Sequence, residues 1–520
     1  MQQGLTRRTL IKAMGIGAGA ALVGGAPLAW GAEEKPLKGG VLRAAFAGSA
    51  SDSTSVLNAT GSNLAYVRAR LIWDSLAEID GDRIAWRLMT SAEPNKDATL
   101  WTLKIRRDVT FSDGRRLTAK DVFYSLKVWK SQPGSQSGWL QPLDIDASRI
   151  IDSETLALKL GKPVGSFDLL LAQSMFIFPD GTQDLSKAPG SGPYTLAGWT
   201  PEKSVLQARA DYWDSENGGP YLDQIQLYAI SDAAARLNGV KAGQFDYAGG
   251  MALLTARAEA ANPAIKLWRS ASNEMSNLAF SMNLSKPPFN RPEVVEALKY
   301  AIDREAMVRA VTLGFGEVAN DALGAGQPWF NSGLPVRAYD PQRAKALLKK
   351  AGLSGVEAAI RTSDYEYGTA ESATLLLRQA TAAGFSLRLN RVPAQDYYSD
   401  FGLLLSTPLQ TNLFRPMPLP VALPFYYGTG APWSFTGAPW SFTGPASPQL
   451  DALMNAMQAA RGDALKARVA DVQQWLWQQG GDAVFARIPS IAASTPAVGG
   501  VRAAGFFDYP LLRDAWLRRP

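Results

Sequence analysis

A chain of 520 residues with no cysteine and no histidine has to hold its fold through buried apolar surface. Disulfide staples and imidazole or thiolate metal sites are both out of its reach. The same absence removes iron–sulfur ligation, a thiol nucleophile, a lipidated N-terminal cysteine and any Ser-His-Asp triad. A nickel site built from protein side chains loses its usual ligands. Chemistry that needs only carboxylates, such as a glycosidase pair, survives. The 15 Trp, 16 Tyr and 20 Phe are enough to fill large cores and still line a pocket. Once a leader is removed, about 490 residues remain, which is too long for one core and implies two or three domains.

The leader is read from Thr6-Arg7-Arg8-Thr9-Leu10-Ile11-Lys12, a twin-arginine export signal, followed by an uncharged Gly- and Ala-rich run from Ala13 to Gly31. Charged start, apolar middle and small-residue end are the three parts of a cleavable leader. Ala29-Trp30-Gly31 places cleavage after Gly31. The alternative is an uncleaved anchor, for which the run is short and weakly apolar. The expected compartment is the periplasm, with the twin-arginine translocase as partner during export. The leader carries three cations and no acid, so its removal takes the net charge from +6 to +3. No cation run is dense enough for a nucleic-acid footprint, and no second long apolar run appears. The mature chain is expected to be soluble, not lipid-anchored, and monomeric.

Along the chain, strand and helix patterns mix throughout, which indicates α/β or α+β lobes. Strands are expected at Gly39–Phe46, Trp101–Ile105, Tyr194–Trp199, Val205–Ala208, Ile225–Ile230, Asn277–Asn283 and Pro489–Ala493, with two more within Arg149–Leu160. Helical spacing covers Tyr66–Leu76, Pro292–Leu313, Ser447–Ala460 and Ala464–Gln479. Thr118 with Asp121 predicts a capped helix through Trp129, Asp232 a cap for a helix to Ala242, and Asp340-Pro341 a helix ending at Ala351-Gly352. Ala188-Pro189-Gly190-Ser191-Gly192-Pro193 punctuates the chain as a domain crossing. Pro416, Pro418, Pro420 and Pro424 are expected to break up any regular element. Gly430-Ala431-Pro432-Trp433-Ser434-Phe435-Thr436 is then repeated at once as residues 437–443. It reads as a duplication in a surface loop, with an aromatic platform as the alternative.

Taken in order, these blocks resemble one family. Lys38-Gly39-Gly40-Val41-Leu42-Arg43, Trp101 to Gly114 with Leu117 to Val122, Gly190 to Leu196, Tyr212-Trp213, Tyr221 to Ile225, Pro288 to Val294, Ala301-Ile302-Asp303-Arg304 and Tyr339 to Gly352 are similar to the extracytoplasmic solute-binding proteins of peptide-type ABC importers, the dipeptide, oligopeptide and nickel class. The resemblance implies an α/β bilobal periplasmic-binding-protein clamp, class II-like, with an extra domain inserted in lobe one. It places the leader at 1–31, lobe one at 32–72, 188–272 and 488–520, the extra domain at 73–187 and lobe two at 273–487. The hinge falls near Arg269–Asn273 and Arg487–Ala493.

Most of these blocks read as scaffold. Trp101, Phe111 and Trp213 suit a core, and Asp303-Arg304 reads as a helix-surface pair worth little. Peptide-binding relatives place an acidic residue after a late strand of lobe two. The matching stretch here, Leu403 to Pro416, holds no acid; it offers Asn412 and Arg415 instead. Arginine presents a planar fork suited to a carboxylate. Trp329, Tyr426 and Trp433 are the aromatic pocket candidates, and Asp52 and Ser53 sit in the first loop after the first strand. The function implied is capture of a short peptide or related small polar solute, such as an acidic peptide, opine-like conjugate or oligosaccharide, for delivery to an inner-membrane ABC permease, without catalysis and without a cofactor. Alternatives are an exported carboxylate-based hydrolase and a ligand-sensing receptor on the same fold.

Overall fold

Val41–Phe46 is buried over most of its length and pairs in parallel on both sides, with Gln224–Ala229 and with Tyr247–Ala248. That placement explains its nearly unbroken apolar character, since a strand covered on both faces has no solvent side to alternate toward. It is the centre of a seven-stranded sheet in a computed structural model that describes residues 35–48, 52–58, 62–80, 83–132, 135–173, 175–364, 366–397, 401–428, 447–502 and 510–518. The proposed leader, Trp433 and the tandem repeat all lie outside the described residues. The spatial order of this sheet is Lys266–Arg269, Ile491–Ser494, Tyr247–Ala248, Val41–Phe46, Gln224–Ala229, Lys203–Ala208, Tyr194–Thr200.

A six-stranded sheet has the order Glu317–Val318, Asp482–Ile488, Ser276–Met282, Leu409–Phe414, Val356–Thr362, Phe385–Arg391. Its strand Ser276–Met282 is buried at every residue. Leu278, Phe280 and Met282 enter one core, while Ala279 enters a second on the other face, the alternation a strand imposes. A four-stranded antiparallel sheet, Met89–Pro94, Leu100–Ile105, Thr155–Leu160, Leu143–Asp152, shares one continuous apolar core with the seven-stranded sheet. The two large sheets make a bilobal α/β clamp, joined where the chain passes from Arg269 to Ser276 and from Ile488 to Ile491. At that crossing the Ser270 N–H donates to the Ser490 carbonyl (3.1 Å) and the Ser490 N–H to Ser270 Oγ (3.1 Å).

Local signals position these elements. Thr118 donates from both its N–H (2.7 Å) and Oγ (2.9 Å) to Asp121 Oδ2 at the start of helix Ala119–Ser131. Asp232 and Asp340 accept from the backbone N–H of Ala235 and Arg343 at the starts of Ala233–Lys241 and Pro341–Lys350. The first long helix, Asn63–Ile72, stops four residues earlier than its spacing suggests. The Ile72 carbonyl there accepts from the Gly192 N–H (2.9 Å), and a Cβ at Gly190 would lie 1.8 Å from that oxygen. The Gly-Ser-Gly segment therefore packs against a helix end, where only glycine fits.

Two expectations fail for identifiable reasons. The segment 292–313 is two helices, Pro292–Tyr300 and Arg304–Thr312. Asp303 ends the first by capping the second, its carboxylate accepting from the Ala306 N–H (2.9 Å). Arg304 is not on the surface: its guanidinium is buried against Asp321 (2.5 Å), which also holds Arg337 (2.9 Å). Arg304 is only 3% exposed, so the pair reading of Asp303-Arg304 is replaced by a cap and a buried triad. The proline-rich segment, expected to be irregular, contains a helix, Leu419–Tyr427. Pro420 falls in its first turn, where no N–H is needed. Only Pro424 removes an internal bond, and burial of Leu419, Val421, Leu423 and Phe425 outweighs that loss.

Candidate functional site

The strand Leu409–Phe414 ends in Arg415 beside the crossing between the two large sheets. A cavity of about 120 Å³ opens there, lined by Met251 and Leu253 from one lobe, Glu366 and Arg415 from the other, and Pro489 and Ser490 of the crossing itself. Arg415 is held by its backbone. Its N–H donates to the Tyr426 hydroxyl (3.2 Å), and the same hydroxyl lies 3.4 Å from the Arg415 carbonyl. Tyr426 is fixed in turn by edge-on packing on Phe414 and Phe425, and burial pushes its phenol above the usual range. Tyr426 thus fixes the backbone of Arg415.

Glu366 comes from the loop between strand Val356–Thr362 and helix Thr369–Thr381. Thr369 Oγ1 donates to the Glu366 carbonyl (2.6 Å), and Gly368 takes φ +81° to let the helix begin at that point. The Glu366 carboxylate accepts from Arg415 Nη2 at 2.7 Å. Side-chain exposure is 35% for Arg415 and 17% for Glu366, so the pair is reachable from the cavity. Burial pushes the Glu366 carboxyl up, and the opposing pull of Arg415 does not cancel it. A carboxylate in that state gains from a further cationic donor.

The other expected residues go elsewhere. Asp52 forms a two-contact ion pair with Arg68 (2.5 and 2.9 Å), both side chains 3% exposed. The Ser53 carbonyl accepts from Arg68 (2.5 Å) and its Oγ from the Ser55 N–H (3.1 Å). These two build the loop that follows the first strand. Asn412 is 4% exposed and turns inward, 3.4 Å from Ser281 Oγ. Ser281 and Tyr427 both donate to Asp482 (2.5 and 2.9 Å), whose carboxyl burial pushes up to about 6. Trp329 lines a different cavity, of about 310 Å³, with Asp168 and Arg461. Of the seven candidates, Arg415 lines the cavity at the crossing between the two large sheets and Tyr426 holds its backbone. Glu366 lies outside the 403–416 stretch where the resemblance places an acid, and its sequence signal is an acid in the loop after the apolar strand Val356–Thr362.

The 84–169 segment also meets the six-stranded lobe. The Gly165 N–H donates to the Gln458 carbonyl (2.7 Å), Lys162 Nζ donates to Gln458 Oε1 (3.1 Å), and Trp139 stacks on Phe425 with centroids 5.9 Å apart. Among the described residues no cluster of three or more acidic side chains has the spacing to hold a metal ion, and no helix is long and apolar enough to cross a membrane.

Comparison with known proteins agrees with this architecture. The glutathione-binding protein GsiB of Salmonella choleraesuis (strain SC-B67) is 27% identical over 307 residues, 57% of this chain and 59% of that protein. The chain thus aligns with less than two thirds of that relative's length. Among solved structures, DppA from Helicobacter pylori in complex with the peptide STSA superposes with a TM-score of 0.75 at 20% identity, covering 93% of this chain and 99% of the other. AgaA from A.tumefacien R10, in complex with agropinic acid, gives 0.74 at 21% identity over 92% and 99%. At those identities the two structures speak for the fold. The model described as bacterial extracellular solute-binding proteins, family 5 Middle, matches residues 84–429, and the chain belongs to that family.

Proposed function

We propose that this protein is the periplasmic substrate-binding component of an ABC importer, exported by the twin-arginine route and working as a monomer. It captures a small polar solute between its lobes, does no chemistry on it, and delivers it to a membrane permease. The partition follows the crossings: a leader at 1–31, lobe one at 32–72, 188–272 and 488–520, an extra domain at 73–187 and lobe two at 273–487. The 84–169 contacts to lobe two then belong to the closed clamp.

The observation that carries this reading is the Glu366–Arg415 pair, opening onto a cavity at the hinge. A partly exposed ion pair is worth about 0–1 kcal/mol, so parting it costs little. A solute bearing an amine and a carboxylate replaces it with two charge-assisted bonds: amine to Glu366, carboxylate to Arg415. Glutathione, a peptide and agropinic acid, the ligands named for the relatives, all carry a carboxylate. Glu366 supplies, from another loop, the acid that the 403–416 stretch lacks.

Titration calorimetry with the solute recovered from the protein tests this. Arg415→Ala is expected to weaken binding by about 2–5 kcal/mol, the cost of leaving a charge unpaired. Glu366→Gln should act on the amine alone, so a solute analogue lacking the amine loses nothing further. Unchanged affinity in both variants would make the pair a scaffold element and remove the basis for the reading.

A further inference from the structure

The Trp329 cavity lies away from the hinge pair, between the 84–169 segment and the turn joining helices Pro448–Ala459 and Gly462–Gln479. It measures about 310 Å³, within the range of small-molecule sites. Its walls are apolar at Ile84, Leu169, Trp329 and Leu465, and it carries two opposite charges, Asp168 and Arg461. Those charges do not meet. Among the described residues neither forms an ion pair. The Asp168 carboxylate accepts from the Leu169 N–H (2.9 Å), and burial pushes it up to about 6 against the weaker pulls of backbone hydrogen bonds and of Arg461. Arg461 reaches in from an exposed turn, with its Cγ packed against Gly165.

A half-buried carboxylate and a guanidinium line one cavity without forming an ion pair with each other, so it presents both a negative and a positive group to an occupant. Burial of Asp168 without a cationic partner is unfavourable by itself. A ligand that brings an ammonium to one end and a carboxylate to the other satisfies both charges at once, and the remaining walls accept apolar surface. We propose that this cavity is a second binding site, for a free amino acid with an apolar side chain, its ammonium on Asp168, its carboxylate on Arg461 and its side chain against Trp329 and Leu465. Half-ligands fill only half of this pattern: n-butylamine lacks the anion and isovalerate the cation. The site is built from two parts of the clamp, so its occupant ties the 84–169 segment to lobe two.

The test uses the full mature chain labelled with 5-fluorotryptophan, with the Trp329 resonance assigned by Trp329→Phe. L-leucine is titrated and followed by fluorine NMR at that resonance and by calorimetry. The expected result is a saturable shift in the wild type, weakened at least tenfold in Asp168→Asn and in Arg461→Gln and retained in Arg415→Gln. n-Butylamine and isovalerate should each bind at least tenfold more weakly than L-leucine. No shift of the Trp329 resonance in the wild type overturns the proposal. So does binding that survives in both Asp168→Asn and Arg461→Gln, or binding lost only in Arg415→Gln, which would place leucine at the hinge. Failure here leaves the hinge reading standing, because the Arg415 and Glu366 variants test that reading separately.

Discussion

Gly165 should decide whether the clamp can shut. Its backbone φ lies outside the left-handed region, so alanine is acceptable to the chain itself. The objection is steric: a Cβ there would stand 2.0 Å from the Ala460 oxygen, 2.8 Å from the Ala460 carbonyl carbon and 2.6 Å from Arg461 Cγ. A relaxed carbon–oxygen contact needs about 3.3 Å, so the 84–169 segment must retreat from lobe two by more than an ångström. The Gly165–Gln458 hydrogen bond, now 2.7 Å, does not survive that displacement. Its net loss costs about 0.5–1.5 kcal/mol, and weakening of the Trp139–Phe425 stack adds about 0.5–1.5 kcal/mol. A penalty of about 2 kcal/mol on the closed state lowers the apparent affinity for a solute enclosed by the lobes roughly 30-fold. Calorimetry on Gly165→Ala measures the affinity, and small-angle scattering with and without solute measures closure. Gly165→Ser should behave alike. Wild-type affinity together with a wild-type change in radius of gyration would refute the reasoning and show that this contact is not part of closure.

The buried Asp52–Arg68 pair is scaffold, so Asp52→Asn should destabilise the fold by about 3–5 kcal/mol in urea melts by stranding the arginine; solute affinity in the folded protein should not change. Asp482 titrates near 6 in the fold, above its unfolded value. The folded state therefore binds more protons between about pH 4 and 6, and this group makes the protein less stable by about 1 kcal/mol at pH 7 than at pH 5. Asp482→Asn should remove that increment from the pH dependence of stability; an unchanged slope would count against the burial argument. Asp321 is held below the usual carboxylate range by Arg304, Lys299 and Arg337 despite its burial. Its contribution is present above the unfolded value and lost as pH falls through the folded one, so Asp321→Asn should lower the melting temperature most near neutral pH.

Local chemistry made much of the scaffold legible. The Thr118–Asp121 cap, the Asp340-Pro341 start and the strand Val41–Phe46 depend on residues within a few positions of one another. The helix break at Asp303 was not legible, because the apolar spacing of 292–313 continues across it and only a cap geometry stops it. The helix Leu419–Tyr427 was hidden because proline is a strong local breaker, and a fully apolar burial overrides it. At the candidate site, Arg415 is singled out by its place after a late strand and Tyr426 by the family resemblance, and the fold brings the Tyr426 hydroxyl onto the Arg415 backbone. Asp52 looked equally suitable, but Arg68, sixteen residues on, consumes its charge. The pairing of Glu366 with Arg415 joins positions 49 residues apart and exists only in the folded chain.

Native mass spectrometry of the protein, purified gently from its native host, is the most direct measurement. The expected spectrum shows one small molecule retained per chain and released on denaturation, carrying both an amine and a carboxylate, and lost from the Glu366→Gln, Arg415→Ala double variant. A bare chain in every preparation, with no thermal shift from any peptide or amino-acid conjugate in a library, would contradict solute capture at the hinge.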